Sequence, residues 1–96
     1  MKFAALVNLT QQGIQGIQQT TQRAAEFKNH AQALGVEITE LLWLSGRFDG
    51  LMIFNAPDNE SAAAMMLQLS QQGNVTTETL RAFDSAEMEQ ILQKNS

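Results

Sequence analysis

Trp43-Leu44-Ser45-Gly46-Arg47-Phe48-Asp49 runs from the end of one apolar stretch towards the start of another. Residues 45–50 hold turn formers, with Gly46 and Gly50 able to take unusual backbone angles. The flanking runs, residues 36–44 and 51–56, therefore read as two strands joined by a hairpin. Two consecutive strands in mid-chain constrain the fold strongly once their outer neighbours are placed.

Upstream, Ala24, Phe27, Ala31 and Leu34 keep helical spacing from Thr20 or Thr21, and Gly35 is a natural stop. Before that helix lies a shorter piece with Thr10 as candidate N-cap. Ile14 and Ile17 share one face of it, the surrounding glutamines form a solvated face, and Gly13 and Gly16 make it short or irregular. Residues 3–9 are apolar on both faces and form a first strand. Downstream, Pro57-Asp58 opens a helix with Ala62, Met65, Met66 and Leu69 as its buried stripe, and Gly73 ends it. Residues 75–83 form a half-polar strand. Asp84 and Glu87 then spell a capping box, with Phe83 and Met88 as its hydrophobic staple and Met88, Ile91 and Leu92 turned inward.

The order β-α-β-β-α-β plus a C-terminal helix is an α+β, ferredoxin-like plan with an antiparallel four-stranded sheet. The expectation places the first and third strands at the centre, parallel to one another, and the more polar second and fourth at the edges. Phe3, Ala5, Val7 and Leu9 alternate with Ala4 and Leu6, and Leu51 and Ile53 with Met52 and Phe54. Both faces of the central strands are thus apolar, whereas helices cover only one. The second face needs a cover, and another copy of the chain is the simplest.

Ninety-six residues are read as one domain, residues 1–96. A chain of this length buries roughly 60–65% of the surface its unfolded form exposes, so a partner subunit would add useful burial. Hydrophobic residues make up 44% and charged residues 17%, which fits a globular protein. A net charge of −4 argues against nucleic acid and anionic membranes as partners. An RNA-binding sheet would also need basic residues beside an aromatic such as Phe54. The absence of cysteine excludes disulfides and thiol chemistry and fits the cytoplasm. The opening run Met1-Lys2-Phe3-Ala4-Ala5-Leu6-Val7 is broken at Asn8, so it is read as a strand and not as a secretory signal.

Several segments, in this order and spacing, resemble GYD-domain proteins over nearly the whole chain. They are Leu6-Val7-Asn8-Leu9-Thr10 with Gly13; Phe27-Lys28; Leu34-Gly35; Trp43 with Gly46-Arg47-Phe48-Asp49; Ala56-Pro57-Asp58; and Gly73-Asn74-Val75-Thr76-Thr77-Glu78-Thr79-Leu80-Arg81-Ala82-Phe83. The resemblance implies a ferredoxin-like fold of the kind that pairs its sheets into dimeric α/β barrels, and it implies no established activity. The tyrosine that names the family is Phe48 here, which puts any role for a phenolic proton in doubt.

Six residues are candidate site residues. Arg47 can bind a small anion with Asp49 orienting it, or the two charges can simply pair across a tight turn; turn chemistry is the preferred reading. Trp43 can wall a pocket, anchor a subunit interface or lie in the core, with interface or core preferred. His30, the only histidine, reads as a boundary residue unless the fold brings it a carboxylate. Asn8, a polar residue in a central strand, either bonds to the following helix or lines a cavity with Arg81 and Thr79. One histidine and scattered carboxylates build no metal site, and no cofactor is implied. The expected function is a cytoplasmic homo-oligomeric domain that binds a small anionic or aromatic ligand or acts in regulation. The alternative is a cofactor-free oxygenase- or isomerase-type enzyme, favoured if His30, Asn8 or Arg81 point into one apolar cavity.

Overall fold

A computed structural model describes residues 1–96. The elements are β1 (Lys2–Leu9), α1 (Gln11–Gln15), a 3-10 turn (Ile17–Gln19), α2 (Thr20–Ala33), β2 (Glu37–Trp43), β3 (Gly50–Asn55), α3 (Asn59–Gln71), β4 (Val75–Ala82) and α4 (Ser85–Asn95). The sheet order is β2-β3-β1-β4, so β1 and β3 are central and β2 and β4 are edges. This is the ferredoxin-like arrangement.

The expectation that the two central strands run parallel is corrected. β1 pairs antiparallel with β3 and with β4, and β2 pairs antiparallel with β3. Each crossover helix joins strands that are parallel but one position apart, and the intervening strand runs the other way. Neighbours are therefore antiparallel throughout.

Alternation along β1 and β3 sorts the side chains onto two faces. Phe3 lies opposite Phe54 and Ala5 opposite Met52, all four buried under the helices. The Phe3 and Phe54 rings stack with centroids 5.3 Å apart. Met65 from α3 and Phe27 from α2 close this layer, and each such large apolar side chain contributes roughly 1.5–3 kcal/mol by leaving water. In β2 the register shifts between Ile38 and Glu40. Ile38 and Leu41, three residues apart, thereby both face the helices, and Leu42 turns to the other side.

The helix ends follow the sequence. The Thr10 hydroxyl accepts from the Gly13 N–H, and Asp84 and Glu87 form the reciprocal capping box. Asp58 accepts from the Ser61 N–H at 2.7 Å, which holds its carboxyl below the ordinary aspartate value. Gly35 and Gly73, just past α2 and α3, carry positive φ.

Two apolar expectations are corrected. Ile14 and Ile17 are exposed, and Gly13 is the buried residue of α1. None of α4 is buried: Met88 is 44% and Leu92 49% exposed, and Phe83 is similarly open. α2 lies against β2 and α3 against β4, whereas α4 has no comparable packing against any element.

Candidate functional site

The geometry of the site starts at Gly50. It faces Trp43 across the β2–β3 ladder, on the helix-covered side. A Cβ at Gly50 would come within 3.3 Å of the Leu42 carbonyl oxygen and 3.5 Å of the Val7 Cβ. Gly50 and the Trp43 indole both line the same cleft. The indole reaches across to α2, where its Nε1–H donates to the Thr20 hydroxyl at 3.1 Å. Between indole, sheet and α2 lies a half-open cleft of about 110 Å³. Phe27, Leu41, Met52 and Leu69 make its apolar walls, while Arg23 and Asp49 supply charge.

Asp49 is anchored in place. Its Oδ2 accepts from the Leu9 N–H at 2.8 Å, and its own N–H donates to the Val7 carbonyl at 2.8 Å. The hairpin is thereby stitched to the end of β1. Beside it a second stitch joins β1 to the turn before β4. The Thr10 N–H donates to the Asn74 carbonyl at 3.0 Å and its hydroxyl to the Gly73 carbonyl at 2.6 Å. The Gln12 amide donates to the Gln72 carbonyl and the Asn74 side chain. Gly13 fits against this turn only as glycine, because a Cβ there would overlap the Asn74 carbonyl.

Arg23 is the cation of the cleft, and sequence reasoning missed it. Its guanidinium packs over Gly16, where a Cβ would collide with it. The molecule's one ion pair is Arg81–Glu87, so Arg23 forms none, although the Asp49 carboxylate lines the same cleft. One oxygen of that carboxylate, Oδ2, accepts from the Leu9 N–H. No local pattern marks Arg23, because its place depends on α2 docking beside a glycine seven residues earlier.

The structure scatters the other candidates. Of the six, Trp43 and Asp49 line the cleft. Arg47 is exposed, 5.3 Å over the Phe48 ring, and forms no ion pair with Asp49 across the turn. His30 is exposed at a shallow depression formed with Gln68 and Gln71. Asn8 pairs with Thr76 on the open face of the sheet, opposite to the side that Arg81 and Thr79 occupy. The proposed grouping of Asn8 with Arg81 and Thr79 is therefore corrected. Arg81 sits at the far end of the sheet, donating to the Lys2 and Ala82 carbonyls, with its guanidinium over the Phe3 and Phe83 rings.

The stitched segments at residues 9–13, 46–50 and 72–74 fall within residues 3–92, the span matched by the family model described as GYD domain. The chain belongs to the GYD-domain family. No curated protein and no solved structure matches it. In this GYD domain the hairpin and the Thr10 to Asn74 stitch fix one end of the sheet, and the cleft opens at that end. No three His, Asp or Glu side chains gather anywhere in it, and no helix is long and apolar enough to cross a membrane.

Proposed function

We propose that this GYD domain is a cytoplasmic binding or regulatory module that takes a small organic carboxylate into the cleft under Trp43. One observation supports this reading above others: the apolar cleft carries a guanidinium that forms no ion pair, even with the Asp49 carboxylate on the same lining. A cavity of about 150 Å³ accommodates benzene, so about 110 Å³ with one open side suits an aromatic ring or short acyl chain. A guanidinium binds a carboxylate through two parallel N–H donors, and a partly apolar surrounding strengthens the pair. Trp43 and Phe27 would flank the ring or chain, and Arg23 would hold its head group. The enzymatic alternative loses its motivating geometry, because His30, Asn8 and Arg81 all lie outside the cleft.

The partner we propose is a second copy. Ala4, Leu6, Leu51 and Ile53 lie partly buried on the open face, with Leu42 47% and Leu80 46% exposed at its edges. The apolar centre of this face, with Glu40 and Glu78 beside it in register, supports a contact surface for that copy.

Thermal melts with benzoate, hexanoate and the neutral benzyl alcohol test the ligand class. At tenfold excess over the dissociation constant, a bound carboxylate adds about 1.4 kcal/mol. That raises the melting midpoint by several degrees, since about 1 kcal/mol shifts a domain of this size by 4–8 °C. Benzyl alcohol is expected to shift it far less, and Trp43→Ala to abolish the carboxylate shift. Benzoate and hexanoate leaving the intact protein's midpoint unmoved would sink the proposal.

A further inference from the structure

We propose that α4 is an exchanged arm: it packs on the second copy of the chain and not on its own. This rests on the reading that the open sheet face pairs with that copy.

α4 forms no packed interface with another element of its own chain. Its tie is the Arg81–Glu87 contact at 3.4 Å in the first turn. The molecule extends 50 Å along one axis and 18 Å along the shortest. Yet Met88, Ile91 and Leu92 form an apolar stripe at helical spacing, and Phe83 stands exposed at its base. An isolated helix shorter than about 12–15 residues is marginal in water, and most helical stability comes from packing an apolar face. The 11 residues of α4 have a capping box but no such packing.

The occupant follows from what else lies uncovered. α4 leaves the sheet at the β4 edge, whereas half-exposed Leu42 lies at the β2 edge with two strands between. A chain cannot easily cover the second surface with the first, but two copies related by a two-fold axis can do so reciprocally.

Area supports the same occupant. Four strands of six to eight residues present a face of roughly 450 Å². A stable interface buries about 800 Å² of accessible surface per partner, and exchanged helices would enlarge the contact that the sheet begins. A helix of 11 residues is about 16 Å long and, at roughly 10 Å wide, covers about 160 Å². Giving one helix and receiving another brings the footprint per subunit to about 770 Å².

Sedimentation equilibrium of the intact chain, Met88→Glu and Leu92→Glu is the test, with far-UV circular dichroism as a check on folding. The arm predicts a dimer for the intact chain, of mass twice 10.6 kDa. It predicts that each variant raises the dissociation constant by about 10-fold or more, and the double variant by about 100-fold. Because Met88 and Leu92 are half-exposed and α4 is tied to its own chain through the Arg81–Glu87 pair of its first turn, the variants keep a folded β-sheet spectrum. A dimer whose dissociation constant is unchanged in both variants overturns the arm and leaves sheet pairing intact. A monomeric intact chain overturns both.

Discussion

Arg81 and Arg23 mark opposite ends of the same sheet, and folding treats them differently. Arg81 donates to two backbone carbonyls, pairs with Glu87 and lies over two phenyl rings. Arg23 lines a mostly apolar cleft and forms no ion pair. A guanidinium whose donors are answered by its own chain is a strut. One left unanswered beside a cleft is available to a ligand. The contrast separates structural from functional charge where residue type alone cannot.

Four substitutions probe that contrast. The largest effect is expected at the stitched end that shapes the cleft. Gly13→Ala drives a methyl into the Asn74 carbonyl, which backbone bonding holds in place. Overpacking of this kind costs up to about 3 kcal/mol, and a lowered urea midpoint with unchanged slope would register it. A midpoint equal to that of the intact protein would show that the turn yields freely. Next comes the strut. Arg81→Met keeps the stem by the phenyl rings but removes the bonds to the carbonyls and Glu87. With that pair partly in solvent, about 1–2 kcal/mol is expected, with no effect on carboxylate affinity.

Gly16→Ala reverses the pattern. Its methyl displaces only the flexible end of Arg23, so stability should stay within about 0.5 kcal/mol while carboxylate affinity falls about tenfold. Unchanged affinity in calorimetry would mean that the position of Arg23 over Gly16 is immaterial. The smallest effect belongs to Asp58, which bonds to neither arginine. The Ser61 N–H holds its folded pKa below the ordinary 3.8. Its contribution is complete above that value and is lost as pH falls through the lower folded one. Asp58→Asn keeps an N-cap but should show a flatter melting midpoint in that acidic window.

The fold was legible because strands and helices announce themselves locally. Alternation in residues 3–9 and 51–56, the caps Thr10, Asp58 and Asp84, and the stops at Gly35 and Gly73 all lie within a few residues of what they control. Strand direction was misread because the parallel partners in each crossover are not neighbours. The periodicity of α4 was visible, but which surface covers it is a tertiary question. The site was half legible. Trp43 and Asp49 stood out as the lone indole and a turn carboxylate. Arg47 attracted attention through its place in the hairpin, yet the chain turns it outward over Phe48. Arg23 sits in a glutamine-rich stretch without a motif, and only the meeting of α2 with Gly16 and the β2–β3 hairpin gives it meaning.

Calorimetric titration of benzoate into the intact protein, Arg23→Gln and Arg47→Gln side by side tests the central claim most directly. A hydrogen-bonded charge pair is worth about 1.5–3 kcal/mol, so Arg23→Gln should weaken binding about 10- to 150-fold while Arg47→Gln leaves it unchanged. Equal affinity for all three proteins, or loss confined to Arg47→Gln, would contradict it.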